Sequence, residues 1–293
     1  MLAVDAIGAG IARPDRSRLS WALPGRTGPP ADLRLDPTGR TALPSASLGF
    51  RDSPMNVAAD PDRVPLITDE LDELHAIAGL NAQRIIELGC GPADMARRLA
   101  KRFPSCSIAA LEIDAVQHQK SLANPQPGIE FIEAGAQAVP FAEASFDLAI
   151  MLKSLHHVPL CLIDQAIGEV ARVVKPGGLF YVSEPVYGGA FNSLIRLFND
   201  EGVVRAAAQR ALDQAIAQTG RWRQVAERRF GLSSTFPNFE AFETKQMRPS
   251  YADHRLDDAK VAEVRAAFEP FMTAGGATFV RPLHVRVLAR LPN

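Results

Sequence analysis

Ile85-Ile86-Glu87-Leu88-Gly89-Cys90-Gly91-Pro92-Ala93-Asp94 is the stretch that decides the fold. Ile85, Ile86 and Leu88, with Glu87 among them, run into two glycines one residue apart, and a proline then opens a segment with Met95, Ala96, Leu99 and Ala100 at helical spacing. A buried strand therefore hands over to a helix through a tight turn. The glycines let the backbone approach a ligand closely, and the helix start offers unpaired N–H groups. A nucleotide-like ligand is expected here, although a structural turn uses the same residues.

Outward from this unit the alternation repeats. Ser107 to Glu112, Ile129 to Glu133, Phe146 to Leu152 and Leu179 to Glu184 read as strands, and Ala115 to Leu122 and Leu160 to Val174 as helices. Short apolar runs alternating with helices imply a parallel sheet buried on both faces. Before the unit, Pro65 to Gly79 carries Leu66, Ile67, Leu71, Leu74 and Ile77 at helical spacing and reads as an entry helix. After Pro185, helices are expected near Phe191 to Asn199 and Gly202 to Gln218, followed by an Arg-rich piece from Arg221 to Arg229. A strand over Phe239 to Met247, a helix over Leu256 to Phe271 and a last strand from His284 to Leu291 complete the pattern.

Residues 1–62 are rich in Pro, Gly, Ala, Arg and Ser without sustained periodicity and read as a disordered extension. Met55 stands just ahead of the ordered pattern and is an alternative start. Residues 63–293 form one domain.

Bulk properties exclude several classes. The 293 residues are 47% hydrophobic, enough for a sizeable core, and the formal net charge of -1 supplies no field to attract nucleic acid or an anionic membrane. Cys90, Cys106 and Cys161 are widely spaced, so neither a disulfide framework nor a zinc site is expected. His75, His118, His254 and His284 lack ligand-like spacing, and no metal is implied. Without an apolar run of about 18 residues or a basic leader before the apolar start, the expectation is a cytoplasmic protein with no integral membrane segment.

Glu112 ends the second strand of the alternation, about 20 residues beyond the glycine turn, where a carboxylate accepts hydrogen bonds from ribose hydroxyls. Dinucleotide binding calls for a third glycine where this chain has Asp94, whose charge would repel a pyrophosphate. S-adenosylmethionine carries no phosphate, and its sulfonium and ammonium suit the acidic rim of Glu87, Asp94 and Glu112.

With these residues in order, the chain resembles the class I S-adenosylmethionine-dependent methyltransferase superfamily. Within it, the chain looks like the small-molecule branch that includes the ubiquinone and menaquinone C-methyltransferases. The likeness spans about Ile85 to Glu184, through the glycine turn, Leu111-Glu112-Ile113-Asp114, Val139-Pro140-Phe141, Leu155-His156-His157-Val158 and Val174-Lys175-Pro176-Gly177-Gly178. It implies a doubly wound Rossmann-like α/β fold. The sheet would have seven mostly parallel strands, the last antiparallel, with a helical lid inserted after the fifth strand at about 186–236.

The resemblance further implies S-adenosylmethionine as cofactor, with Glu87, Gly89, Cys90 and Gly91 at its methionine end, Glu112 and Ile113 at the ribose, and Ala136 with Gln137 along the adenine. Met151, Leu152 and Lys153 would form the pocket floor. The chain departs from the family at Gly135, where an acid for the adenine amino group is usual, leaving that contact to Glu133, to a backbone carbonyl or absent. Ala93 replaces a frequent glycine.

The expected activity is methyl transfer to a small organic acceptor. Phe191, Leu194, Ile195, Leu197, Phe198, Trp222 and Phe230 in the inserted segment point to a hydrophobic or aromatic one, although packing of an extra layer explains them too. His156 and His157 are candidate general bases on the carboxyl edge, and Glu184 faces the same edge. A non-catalytic protein that binds S-adenosylmethionine and a nicotinamide-dependent oxidoreductase are the alternatives. Arg221, Arg223, Arg228 and Arg229 either grip an acidic group or line a solvated helix face.

Overall fold

A computed structural model describes residues 63–81, 83–249 and 254–292; the expectations for the extension and for Met55 lie outside the described residues. In chain order the elements are β1 (Leu66–Ile67), α1 (Glu70–Ala78), β2 (Arg84–Leu88), α2 (Asp94–Arg102), β3 (Ser107–Glu112), α3 (Ala115–Ala123), β4 (Ile129–Glu133) and β5 (Phe146–Leu152). They continue with α4 (Ile163–Val173), β6 (Val174–Pro185), α5 (Gly189–Ile195), α6 (Gly202–Gln218), β7 (Trp222–Phe236), α7 (Phe239–Phe242), α8 (Asp258–Phe268), β8 (Met272–Thr273) and β9 (Gly276–Arg290).

One sheet orders these strands β4-β3-β2-β5-β6-β9-β7-β1, with β8 paired to β9. β9 runs antiparallel to both its long neighbours, while β2 to β6 pair in parallel. The strand order reverses direction at β2, between β3 and β5, and such a switch point opens a crevice at the carboxyl ends of the strands.

Two hydrophobic clusters cover the two faces. Ile85, Leu148, Ile150, Tyr181 and Val287 pack with Leu71 and Leu74 of α1 and with Met95, Ala96 and Leu99 of α2. Ile86, Phe146, Ala149, Phe180 and Val182 pack with Ala166, Ile167 and Val170 of α4 and with Ala208, Ala211 and Leu212 of α6. The strict alternation along β2 and β6 is what sends consecutive residues to opposite layers.

The doubly wound α/β architecture expected from the sequence is present, with four corrections. Among the described residues the sheet has nine strands, not seven, because β1 and β8 add two residues each, too few to leave a periodic signal. Leu66 and Ile67, assigned above to the entry helix, pair with Gly231 and Leu232 of β7. α1 starts only at Glu70, where the Asp69 side chain accepts from the Leu71 N–H at 2.7 Å.

The Arg-rich segment is not part of a lid: Trp222–Phe236 is a sheet strand, paired from Trp222↔Arg290 to Phe236↔Ala277. Its even alternation of exposed and covered residues places Arg223, Arg228 and Arg229 on a strand, not a helix. Phe239–Met247, expected as a strand, is α7 followed by a π-helical turn. Asn238 caps it by accepting from the Ala241 N–H at 2.8 Å, and Phe239 and Phe242 reach the same apolar layer from consecutive turns.

That layer is a third cluster, formed by Phe191, Leu194, Ile195, Phe236, Phe239, Phe242, Phe268 and Phe279. Phe191 stacks on Phe236 with ring centroids 6.2 Å apart, and Phe242 meets Phe268 at 5.1 Å. Packing of α5, α7 and α8 therefore accounts for much of the apolar inventory of the inserted segment. Trp222 and Phe230 lie in the two sheet-face clusters.

Candidate active site

The turn after β2 is bound to the neighbouring strand before any ligand is considered. The N–H groups of Gly89 and Cys90 both donate to the Leu111 carbonyl at 2.9 Å. Gly89 adopts φ +72°, and a Cβ there would fall 2.7 Å from the Ser154 Cβ, so a side chain is excluded by both backbone and space. Ser154 is itself fixed by donating from its hydroxyl to the Leu88 carbonyl at 2.8 Å. Ala93 takes the left-handed conformation (φ 60°, ψ 32°) in the residue before α2, a position that favours glycine.

Glu112 faces this turn. Its Oε2 accepts the Gly91 N–H at 2.6 Å and its Oε1 the Asp114 N–H at 2.8 Å, so the carboxyl group is held in one orientation while each oxygen keeps a lone pair. Beside it Ile113 is 63% exposed, an isolated apolar side chain at the switch point. Ala136 is buried and Gln137 half-buried in the turn that follows β4.

On the α1 face the carboxyl edge is polar and largely unpartnered. Glu87 is buried, and desolvation lifts its pKa from 4.5 to about 8, despite an N–H from Ala96. Its Oε2 has no hydrogen-bond partner, nor do the buried Glu70 Oε1, Tyr181 hydroxyl and Ser183 hydroxyl. Lys153, at φ 58°, reaches across to Glu70 Oε2 at 3.0 Å. Burial, with Glu87 and Glu112 nearby, pushes the Cys90 thiol up and keeps it neutral, so it is no nucleophile. Met151 lies in the core beneath the edge and Leu152 is half-buried.

On the other face the edge carries a saturated network. Glu184, 1% exposed, accepts the Leu155 N–H at 3.0 Å through Oε1 and pairs with His156 Nδ1 through Oε2. His156 Nε2 faces Glu201 Oε2 at 3.8 Å. Glu201 is held by Arg205 at 2.6 Å and by Asn199 at 2.9 Å, and Arg205 also donates to Asn192 Oδ1 at 2.7 Å.

His157 closes this network at the surface, its ring centroid 4.1 Å from that of His156. Desolvation first, then the His156 ring and Arg205, lower its pKa below 6.5 against the opposing pull of Glu201 and Glu184. Ligand-capable atoms of His156, His157 and Glu201 lie within 4.8 Å of one another, an arrangement no sequence spacing announced. The Glu201 oxygen nearest His156 already meets a guanidinium, which stands where the charge of an ion would.

The structure thus brings Glu87, Gly89, Cys90, Gly91, Glu112 and Ile113 around one turn and His156, His157 and Glu184 into one network. Glu70, Asn192, Glu201 and Arg205 were not singled out from the sequence. They come from α1, α5 and the start of α6, and only tertiary packing carries them to the edge.

Residues 85–178 match the family described as Methyltransferase domain. Among curated relatives, a fatty-acid O-methyltransferase of Mycolicibacterium smegmatis is 32% identical over 111 residues, covering 37% of this chain and 39% of its own. The ubiquinone/menaquinone biosynthesis C-methyltransferase UbiE of Bartonella tribocorum is 34% identical over 111 residues, covering 36% and 42%. The chain spans less than half the length of either relative.

Two solved structures share the fold at 15% identity. The YcgJ protein of Bacillus subtilis superposes with a TM-score of 0.54 over 76% of this chain and 98% of its own. A putative methyltransferase of Bacillus halodurans gives 0.54 over 76% and 99%. The strand order, the glycine turn facing Glu112 and the matched segment agree: residues 85–178 are similar to the methyltransferase domain family, and the fold is shared with solved methyltransferase-like structures.

Proposed function

We propose that the protein transfers a methyl group from S-adenosylmethionine to a small hydrophobic acceptor, with His157 as general base where the accepting atom carries a proton. The observation that carries the reading is the Gly89 to Gly91 turn locked against an oriented Glu112 beside an exposed Ile113. The residues fit the cofactor. Glu112 has lone pairs for two ribose hydroxyls, Ile113 offers a flat apolar contact for a purine, and the unpartnered Glu87 oxygen answers a cationic ammonium.

When bound, S-adenosylmethionine supplies a methyl group on a positive sulfonium. The chain itself need only align the acceptor and exclude water, since attack discharges a cation. For a hydroxyl acceptor, the new C–O bond forms as the C–S bond breaks, and the hydroxyl proton passes to His157. A neutral imidazole has one unprotonated ring nitrogen, and the lowered pKa keeps His157 neutral near pH 7. His156, clasped between Glu184 and Glu201, positions its neighbour. The hydrophobic character of the acceptor rests on the relatives, two of which are named for a fatty acid and a quinone.

Calorimetric titration with S-adenosylmethionine and S-adenosylhomocysteine tests the donor site. Micromolar binding of both is expected, with Glu112→Ala weaker by about 1.5–3 kcal/mol, the range for a hydrogen bond to a charged group. Absence of binding, or an unaffected Glu112→Ala variant, overturns the assignment. Label transfer from the donor to long-chain acids and phenols then tests turnover. The rate should hold above the ordinary histidine pKa of 6.5 and fall only below it, as His157 protonates among His156, Glu184, Glu201 and Arg205. Replacement of His157 by Ala should remove that acid limb.

A further inference from the structure

We propose that the carboxamide of Gln137 reads position 6 of the donor's purine, taking over from the carboxylate usual at position 135, and that the site consequently accepts a 6-oxo purine almost as well as adenine. This rests on the donor site proposed above and deepens it.

Gly135 leaves open a space that the movable end of the Gln137 side chain fills. Its backbone lies outside the left-handed region, so the conformation does not require glycine, yet a Cβ there would fall 2.6 Å from Gln137 Nε2 and 2.8 Å from Gln137 Cδ. The amide of Gln137 therefore fills the volume that a side chain at 135 would occupy. The turn beneath it is fixed. Ala138 donates its N–H to the Gly135 carbonyl at 3.1 Å, and Gln165 Nε2 donates to the Gln137 carbonyl at 2.8 Å, tying the turn to α4. The turn follows β4, whose Glu133 pairs with Glu112, so the turn that carries Gln137 stands on the same edge as the Glu112 carboxyl group and the exposed Ile113.

The two groups differ in what they can recognise. A carboxylate only accepts, so it selects the 6-amino group of adenine and is repelled by the 6-oxo oxygen of hypoxanthine. A carboxamide has a carbonyl and an NH2 on one planar end, and a half-turn of that end exchanges them. It accepts from a 6-amino group in one orientation and donates to a 6-oxo group in the other. Exchanging the acid at 135 for an amide reaching over from 137 keeps affinity for adenine while removing the repulsion that enforces it.

The test is calorimetric titration of the full chain with S-adenosylhomocysteine and with its 6-oxo counterpart, S-inosylhomocysteine. The wild type should bind the two within about 10-fold of each other, and Gln137→Ala should weaken S-adenosylhomocysteine by roughly 5- to 20-fold, as loss of an amide contact to adenine does. Gly135→Asp pushes the flexible amide aside and restores an acceptor-only group. Its preference for S-adenosylhomocysteine should widen to about 100-fold or more, because the carboxylate now meets an unpaired acceptor.

The double variant Gly135→Asp with Gln137→Ala relieves the crowding and should show the same widened preference, which keeps the test valid if the single variant folds poorly. A wild type that already prefers adenine by about 100-fold, or a Gln137→Ala variant with unchanged affinity, overturns this proposal alone. Failure of the wild type to bind S-adenosylhomocysteine overturns the donor site, and this inference with it.

Discussion

Two polar clusters sit on opposite faces of the same sheet edge, and they differ in how completely they are partnered. Around His156 nearly every polar atom is answered: both Glu184 oxygens, both Glu201 oxygens and both His156 nitrogens face a partner. Beneath α1, by contrast, Glu70, Glu87, Tyr181 and Ser183 each bury a polar atom that meets none. A buried donor or acceptor left unpaired costs about 1–3 kcal/mol, so a protein keeps several in one place only where something else uses them. The saturated cluster builds geometry; the unsatisfied one leaves room for a ligand's charge. In the proposed reaction the first orients His157 and the second receives the cationic end of the donor.

Removing a partner from the saturated side should have the largest effect. Glu184→Ala leaves the His156 ring and the Leu155 N–H without their acceptor in a buried site, and should lower the unfolding free energy by about 3–5 kcal/mol. Urea denaturation reads this directly. A loss below about 1 kcal/mol, the level of an exposed ion pair, would mean that the network is not holding the edge together.

On the unsatisfied side, Glu87→Gln should stabilise the free protein, by an amount that grows with pH. The folded-state pKa of Glu87, about 8, lies above the ordinary 4.5, so between these values the folded chain holds a proton that the unfolded chain releases. That contribution to stability is complete below 4.5 and is lost as pH rises toward 8. Glutamine, isosteric with the protonated acid, is indifferent to pH. Its advantage should increase from pH 5 to pH 8, reaching on the order of 1–3 kcal/mol. Denaturation midpoints at the two pH values check it, and a constant difference would show Glu87 ionised throughout. The same proton should be released when the donor's ammonium arrives, and titrations in buffers of different ionisation enthalpy would detect it.

The smallest effect belongs to the turn between the two clusters. Ala93 is held in the left-handed conformation, at a cost of about 1–2 kcal/mol, and glycine would relieve this while losing about 0.5–1 kcal/mol to its freer unfolded chain. Ala93→Gly should raise stability by about 0.5 kcal/mol, seen as a small upward shift in melting temperature. A destabilised variant would show that the Ala93 methyl, fully buried, packs for more than its strain.

Much of this could be read from the chain alone because it is local. The glycine turn, the buried strands β2, β3 and β5 and the carboxylate at the end of β3 follow from period, turn chemistry and spacing, and all but Arg84 at the start of β2 lie within the matched segment. β7 was missed for an equally local reason. Near one edge of the sheet it carries Arg, Glu and Ser at alternate positions, which imitates a solvated helix unless its partner β9 is known. Phe239–Met247 misled in the opposite sense: its aromatics favour strands in general but here serve a helix facing other phenylalanines.

The sequence by itself determined the fold class, the strand-turn-helix of the proposed donor site, and which histidines and acids stand at the carboxyl edge. Tertiary structure alone decided which of them are partnered. Glu201 and Arg205 are brought to His156 by the packing of α6 on α4, and Glu70 to Lys153 by the packing of α1 on the sheet, across 45 and 83 residues of chain. Hydrogen bonding and desolvation depend on distance in space, and spacing along a chain predicts that distance only within a single element or turn.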